Sequence, residues 1–207
     1  MSSCEQKPPL EQHFPVTRPS QISENTDEEL MPAIADGDHA AFRILVERHQ
    51  KLVIGTVARM IGTADAEDVA QQVFLNVWRS APRWRPEAKV TTWVMTIAKR
   101  LVFNESRRRS RTRVVPQDDG KGALPEFPDA SPGPDRRILD HELHGAVEAA
   151  MASLGEKERL AVVLRRHEGM PYEEIAHVLG ISVPAVKSLL FRARNTLRQK
   201  LSAYLDG

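Results

Sequence analysis

Residues 172–201 read YEEIAHVLGISVPAVKSLLFRARNTLRQKL, and this stretch decides the fold. The spacing predicts a short helix ending at Gly180, a residue that can take positive φ at a turn because it has no Cβ. Ser182 is a natural N-cap, and Pro184 is tolerated in the first turn of the longer helix that follows. Ala176 is small where the two helices must come close. Ile175, Leu179, Ile181, Val186 and Leu189 supply a shared core. Together these features describe a helix-turn-helix running from Tyr172 to Leu201.

The second helix of the pair is one-sided in charge. Lys187, Arg192, Arg194, Arg198 and Lys200 are basic, no acid falls between 183 and 200, and the first helix carries Glu173 and Glu174 instead. Such a separation suits a helix lying in the major groove of DNA. Pro184, Ala185, Lys187 and Ser188, in the N-terminal turns, are the expected base-edge residues. Arg192 and Arg194 are expected to reach phosphates, contacts that position a helix without reading sequence. A solvated basic face on an ordinary helix pair competes on charge alone; the turn glycine, the cap and the small residue argue against it.

Outward from this motif, residues 114–135, VVPQDDGKGALPEFPDASPGPD, break any helix with Pro116, Pro125, Pro128, Pro132 and Pro134 and three glycines. They hold five carboxylates against Lys121 and read as a flexible acidic linker. Residues 1–25, polar and with prolines at 8, 9, 15 and 19, read as a disordered tail. Two folded parts remain, 26–113 and 136–207.

Both parts read as helical. Thr26 and Glu29 make a capping box for a short helix that stops near Gly37, and Asp38 can cap the next. There Phe42, Leu45, Val46, Leu52, Val53, Val57, Met60 and Ile61 recur at helical spacing up to Gly62. ADAEDVAQQVFLNVWRSA (64–81) forms a third helix with apolar rows Val69, Val73, Val77 and Ala70, Phe74, Trp78. After Pro86, a fourth holds Trp93, Val94, Ile97, Leu101 and Val102 before turning polar. In the second part Leu139, Leu143, Val147, Met151 and Leu154 form one stripe, and Leu160, Val163 and Leu164 lie on the next helix. The expected fold is all-α: two small helical domains joined by a Pro-rich linker.

The fourth helix ends in KRLVFNESRRRSRTR (99–113), with Lys99, Arg100, Arg107, Arg108, Arg109, Arg111 and Arg113 against one acid, Glu105. Alone, such a run is a solvated helix end or a partner of the C-terminal dipole. It follows Trp78, Trp84 and Trp93, however, and aromatic faces beside a basic groove are how exposed bases of an opened strand are held. Two nucleic-acid surfaces on one chain imply a grip at two places.

Composition bounds the rest. The 207 residues hold 29 Lys and Arg against 28 Asp and Glu, so the chain is no bulk polycation. Its one cysteine, Cys4, excludes an intramolecular disulfide framework and a multi-cysteine zinc site. No run of 18 apolar residues predicts a membrane span, no apolar segment near the N-terminus reads as a secretory signal, and the expected location is cytoplasmic. His141 and His144 could form half a metal site, yet no carboxylate or cysteine converges on them in sequence. Neither a cofactor nor catalysis is expected.

In sequence order, DAEDVAQQVFLNVWR (65–79), TTWVMTIAKRLVFNESRRRSR (91–111) and YEEIAHVLGISVPAVKSLLFRARNTLR (172–198) resemble the bacterial RNA polymerase sigma factors of the extracytoplasmic-function (ECF) type over about residues 27–205. The resemblance implies promoter recognition and opening in partnership with core RNA polymerase, at its clamp and flap. It assigns Asp68, Gln71, Phe74 and Trp78 to the helix that meets polymerase; of the last two, at least one is expected to pack inward. Trp84 to Thr92 become the loop that receives a flipped −10 base, near Trp93. Lys99, Arg100, Asn104, Arg107 and Arg108 face −10 DNA, and the helix-turn-helix from Tyr172 to Leu201 reads the −35 element. Many relatives are held by an anti-sigma protein. Val90, Arg100 and Asn104 depart from the residues frequent in the family. The rival reading, a dimeric helix-turn-helix regulator on operator DNA, accounts for 172–201 and leaves the first part unexplained.

Overall fold

The computed structural model describes residues 25–112 and 134–205. The expected tail (1–25) and linker (114–135) lie outside these residues except at their edges. At one edge the structure differs: a helix already begins at Pro134, whose fixed φ suits a first helical turn.

In the first unit, α1 spans Asp27–Ala35, α2 His39–Ile61, α3 Ala66–Ser80 and α4 Val90–Thr112, with a 3₁₀ turn at Ala81–Arg83. The Thr26 capping box forms, the Glu29 amide donating to Thr26 Oγ1 at 3.3 Å and the Thr26 amide to Glu29 Oε2 at 2.7 Å. Asp38 Oδ1 accepts from the amides of Ala40 and Ala41 at 2.7 and 3.1 Å and so starts α2. Leu45, Val53 and Val57 of α2 meet Val73 and Val77 of α3 and Val94, Met95 and Ala98 of α4 in a solvent-free core. Leu30, Met31 and Ile34 of α1 close one side.

The second unit holds α5 Pro134–Ala152, α6 Glu156–Arg166, α7 Tyr172–Leu179, α8 Val183–Lys200 and a final turn, α9, Ser202–Leu205. Gly180 sits at φ 67°, ψ 43°, the left-handed conformation a residue without Cβ adopts cheaply. Ser182 Oγ accepts from the Ala185 amide at 3.4 Å, and α7 and α8 cross at 95°. Ile175, Val178, Leu179, Val186 and Leu189 are buried as a shared core with Leu160 and Leu164 of α6.

The far end of the motif is a correction. The helix-turn-helix was expected to run from Tyr172 to Leu201, but α8 stops at Lys200 and Leu201 is its C-cap. The Leu201 amide still donates to the Leu197 carbonyl at 2.9 Å, yet its backbone turns to φ −105°, ψ 9°, outside the helical range, and α9 starts at the next residue. Leu201 therefore closes α8, half-buried, and does not extend its basic face.

One expected stripe buries only at its C-terminal end, where Leu154 is buried and Met151 packs against the core. Leu143 and Val147 of α5 are 41% and 37% exposed. The helix seats by its C-terminal end, through Ala150 and Leu154, because Arg159 of α6 holds that end: its guanidinium donates to the carbonyls of Met151 (2.9 Å) and Ala152 (2.6 Å). Arg159 also donates to the Met60 carbonyl of α2 at 3.2 Å, linking the two units. The main link is α7 lying against α4, so the buried apolar cluster runs unbroken from one unit into the other.

Candidate nucleic-acid and protein interfaces

Three helices carry the expected site residues. On α3, Asp68 and Gln71 are exposed, Phe74 is buried, and Trp78 is half-buried. Trp78 stacks on His39 (4.7 Å between ring centroids) and meets Phe42 edge-on at 4.9 Å. Phe74 therefore belongs to the core rather than to a docking face, and Trp78 braces α2. Sequence reasoning missed Leu75, 44% exposed and level with Asp68, Gln71 and Gln72 at spacings of three, four and seven. Leu75 fell in neither apolar row, and its place on the polar row was the available signal.

The expected base-receiving loop is shorter than read. It ends at Lys89, because Glu28 of α1 accepts from the Val90 amide at 3.4 Å and α4 starts there. Thr92 lies inside the helix and is fully buried. Trp84 follows the 3₁₀ turn half-buried, its indole N–H enclosed without a hydrogen-bond partner; Trp93 is half-buried on α4.

The basic run on α4 divides by role. Arg100, Asn104, Arg107, Arg108 and Arg111 are exposed, and the last four line a shallow depression of about 410 Å³. Arg109 instead turns back to the Ile61 carbonyl at the end of α2 and to Asp65 before α3. It also pairs with Glu105 at 3.0 Å. Glu105 bonds Arg108 at 2.8 Å as well, and these two guanidiniums, Arg108 foremost, hold its carboxyl down at about 2 against the opposing effect of burial. Lys99 points to α7, where its ammonium donates to the Val178 carbonyl. Burial, and then Arg100 and Lys157, push its pKa down.

On α8, Pro184, Lys187, Ser188, Arg192 and Arg194 are exposed and Ala185 partly so. Arg192 is tied to Glu158 of α6 at 3.0 Å. The missed residue here is Phe191, 63% exposed, one helical turn beyond Lys187 and Ser188 and two beyond Pro184.

The comparisons with known proteins match this layout. The Sigma-70 region 2 family matches residues 45–112 and the Sigma-70 region 4 family residues 144–197. The RNA polymerase sigma-H factor of Pseudomonas aeruginosa is 31% identical over 193 residues, 89% of this chain and 98% of that protein. The ECF RNA polymerase sigma-E factor of Escherichia coli is 32% identical over 184 residues, 85% of this chain and 94% of its own. The chain belongs to the ECF sigma factors. Among solved structures, CnrH in complex with the cytosolic domain of CnrY aligns with a TM-score of 0.64 at 26% identity, over 86% of this sigma factor and 99% of CnrH. RpoE of Bartonella quintana, in complex with the anti-sigma factor NepR, shares the fold with a TM-score of 0.57 at 21% identity, over 78% and 96% of the two chains. Sigma factors act in transcription initiation without catalysis of their own. Among the described residues, no single helix of this one is long and apolar enough to cross a membrane, and no three His, Cys, Asp or Glu side chains converge as a metal site would require.

Proposed function

We propose that this sigma factor docks on core RNA polymerase through the outward row of α3 and grips a promoter at two places. Its units are 26–113 and 136–207. Asp68, Gln71 and Leu75 meet the polymerase, and Trp78 supports them from the core side. The −10 strand lies along α4, with phosphates at Arg100, Arg107 and Arg108, Asn104 toward a base, and Trp84 and Trp93 beside the displaced base. Lys99 joins this face when α7 is not on it. The −35 duplex receives the N-terminal turns of α8: Pro184, Ala185, Lys187 and Ser188 at base edges, Arg192 and Arg194 at phosphates, and Phe191 against an apolar edge such as a thymine methyl.

Unpairing at the −10 element costs a few kcal/mol, and contacts with the displaced base offset part of it. Polymerase performs the chemistry, and the chain works in the cytoplasm. An anti-sigma protein is a further partner, a reading supported by the likeness to CnrH in its complex with CnrY. The observation that carries the proposal is the presence, inside the two matched regions, of two separate exposed cationic helix faces, α4 and α8.

Run-off transcription with purified core polymerase tests it. Initiation from promoters selected with the holoenzyme is expected. Replacing Asp68 and Gln71 together with Ala should abolish holoenzyme formation while circular dichroism stays helical. Normal holoenzyme with that variant overturns the docking face, and absence of initiation on every template overturns the whole.

A further inference from the structure

The first turn of α1 carries three carboxylates in a row, Asp27, Glu28 and Glu29, and the fold gives each a different task. Glu29 closes the capping box of its own helix. Asp27 ties α1 to α2: Arg48 Nη1 donates to Asp27 Oδ1 at 2.8 Å, and His49 Nε2 lies 2.6 Å from Oδ2. Glu28 turns to α4. Its Oε1 accepts from the Val90 amide at 3.4 Å, across 62 positions of sequence, at the first residue of that helix.

The sequence around α4 explains why the acceptor comes from elsewhere. α1, α2 and α8 start behind their own capping residues, Thr26, Asp38 and Ser182. Before α4 stands Lys89, whose ammonium donates and cannot accept, and the first turn holds no acid. α1 also touches the other end of the loop that precedes α4. The 3₁₀ turn leading into Trp84 packs against α1, and Arg85 donates to the Trp84 carbonyl at 2.8 Å. The loop from Trp84 to Lys89 therefore leans on α1 at its entry and is tied to α1 at its exit.

We propose that Glu28 is a positioning residue for −10 opening: by capping α4 from a neighbouring helix, it fixes where the base-receiving loop ends, so that the loop is set before a base arrives. This rests on the assignment of residues 84–89 to the displaced base. A loop with both ends fixed loses less freedom when it takes up a ligand, and the smaller loss appears as affinity. With the cap gone, the first turn of α4 frays, and the loop is placed in only part of the population. Apparent affinity falls with that fraction. The hydrogen bond is long and the Glu28 side chain is exposed, so its effect stays local to the loop.

The test uses holoenzyme assembled with core polymerase. The parent is first titrated with −10 single-stranded oligonucleotides from a selected promoter, each base in turn replaced by an abasic site, to find the position the loop receives. Glu28→Ala removes the acceptor and the charge, and Glu28→Gln removes the charge alone. Asp36→Ala, an exposed acid at the other end of α1, is the control. Glu28→Ala is expected to bind the intact strand about fivefold more weakly, the weight of one helix cap. It should bind the strand that is abasic at the received position as tightly as the parent does, because no base is then there to place. Glu28→Gln should stay within about twofold of the parent, the worth of a screened charge at a helix start. Asp36→Ala should match the parent, and −35 duplex affinity should be unchanged throughout. Equal binding of the intact strand by Glu28→Ala and the parent overturns the proposal. So does an equal loss on the abasic strand, which a general loosening of the domain would produce, or a Glu28→Gln chain as weak as Glu28→Ala. A parent indifferent to every abasic site would instead sink the loop assignment on which the proposal rests.

Discussion

In α8 the cations Lys187, Arg194, Arg198 and Lys200 stand exposed, and Arg192 is paired across to Glu158; in α4 a run of similar charge is divided, with Arg100, Arg107 and Arg111 exposed and Lys99, Arg108 and Arg109 engaged by groups of the protein itself. Arg109 closes the end of α2 and meets Asp65, Lys99 is held by α7, and Glu105 takes up Arg108. A sequence count of positive charge therefore measures the surface of α8 well and that of α4 poorly. The reason lies in position. α4 ends beside the turn between α2 and α3, where orphan carbonyls need donors. α8 has no such duty along its outer face.

The contrast can be broken most decisively at Arg109. Arg109→Ala strands a helix-terminal carbonyl and Asp65, at a cost of about 1–3 kcal/mol. Arg107→Ala, two residues away and exposed, should change stability by less than about 0.5 kcal/mol yet reduce the salt dependence of −10 strand binding. Thermal and denaturant unfolding of both variants, with oligonucleotide titrations, makes the comparison. If both variants lose stability equally, the division of the run into structural and DNA-facing cations is wrong.

On α8 the corresponding pair should act only on DNA. Arg194→Ala is expected to lower the slope of log affinity against log salt for the −35 duplex by about 0.9, one phosphate contact, and Arg192→Ala by less, because its Glu158 partner already shares its charge. Lys187→Ala, at a base edge, should cost about 1–3 kcal/mol on the preferred duplex and little on others. A slope indifferent to Arg194 would remove α8 from the groove.

This division was only partly legible in the sequence. Caps and turns were, since Thr26, Asp38, Gly180 and Ser182 act on neighbours three residues away or fewer, and so was the all-α fold that their helices build. The end of α8 was legible only to within a residue, because Leu201 continues the apolar spacing and no glycine or proline marks the stop. Arg109 and Lys99 were not legible, because their partners lie 48 and 79 residues off, and a charge run does not state which members turn inward. Leu143 and Val147 misled in the opposite direction, because helical periodicity assigned them to a core stripe while α5 seats by one end. Leu75 and Phe191 belonged to no apolar row in the sequence, and it is the fold that shows them facing water. That exposure is what offers them to a partner.

Phe191 puts that to use. If it meets a thymine methyl, Phe191→Ala should cost about 1 kcal/mol, the burial of roughly one such group, and only on duplexes that present the methyl. Replacing that thymine by uracil should cost the parent chain the same and the variant nothing further. Equal losses on every sequence would make the ring a general packing element rather than a reader of one base.

The smallest effect sharpens the contrast from the α4 side, where an acid sits among the cations. Glu105 titrates at about 2 in the folded chain against 4.5 for the free side chain. A carboxyl with a depressed folded pKa stabilises the fold fully above its free value, and that contribution fades as pH falls from about 4.5 toward 2. Glu105→Gln should thus be slightly less stable than the parent at neutral pH, with the two unfolding curves converging below pH 4.5. Asp27, whose carboxyl is pulled down chiefly by its bond from His49 at 2.6 Å, has the same sign and remains in the variant, so some acid lability persists. Arg108 is 73% exposed and solvent screens its half of the interaction, which keeps the difference small. In −10 binding the same variant should gain, since the run loses its one internal anion. A variant less stable at neutral pH that binds the strand no better would mean that Glu105 serves only to hold Arg109 in place.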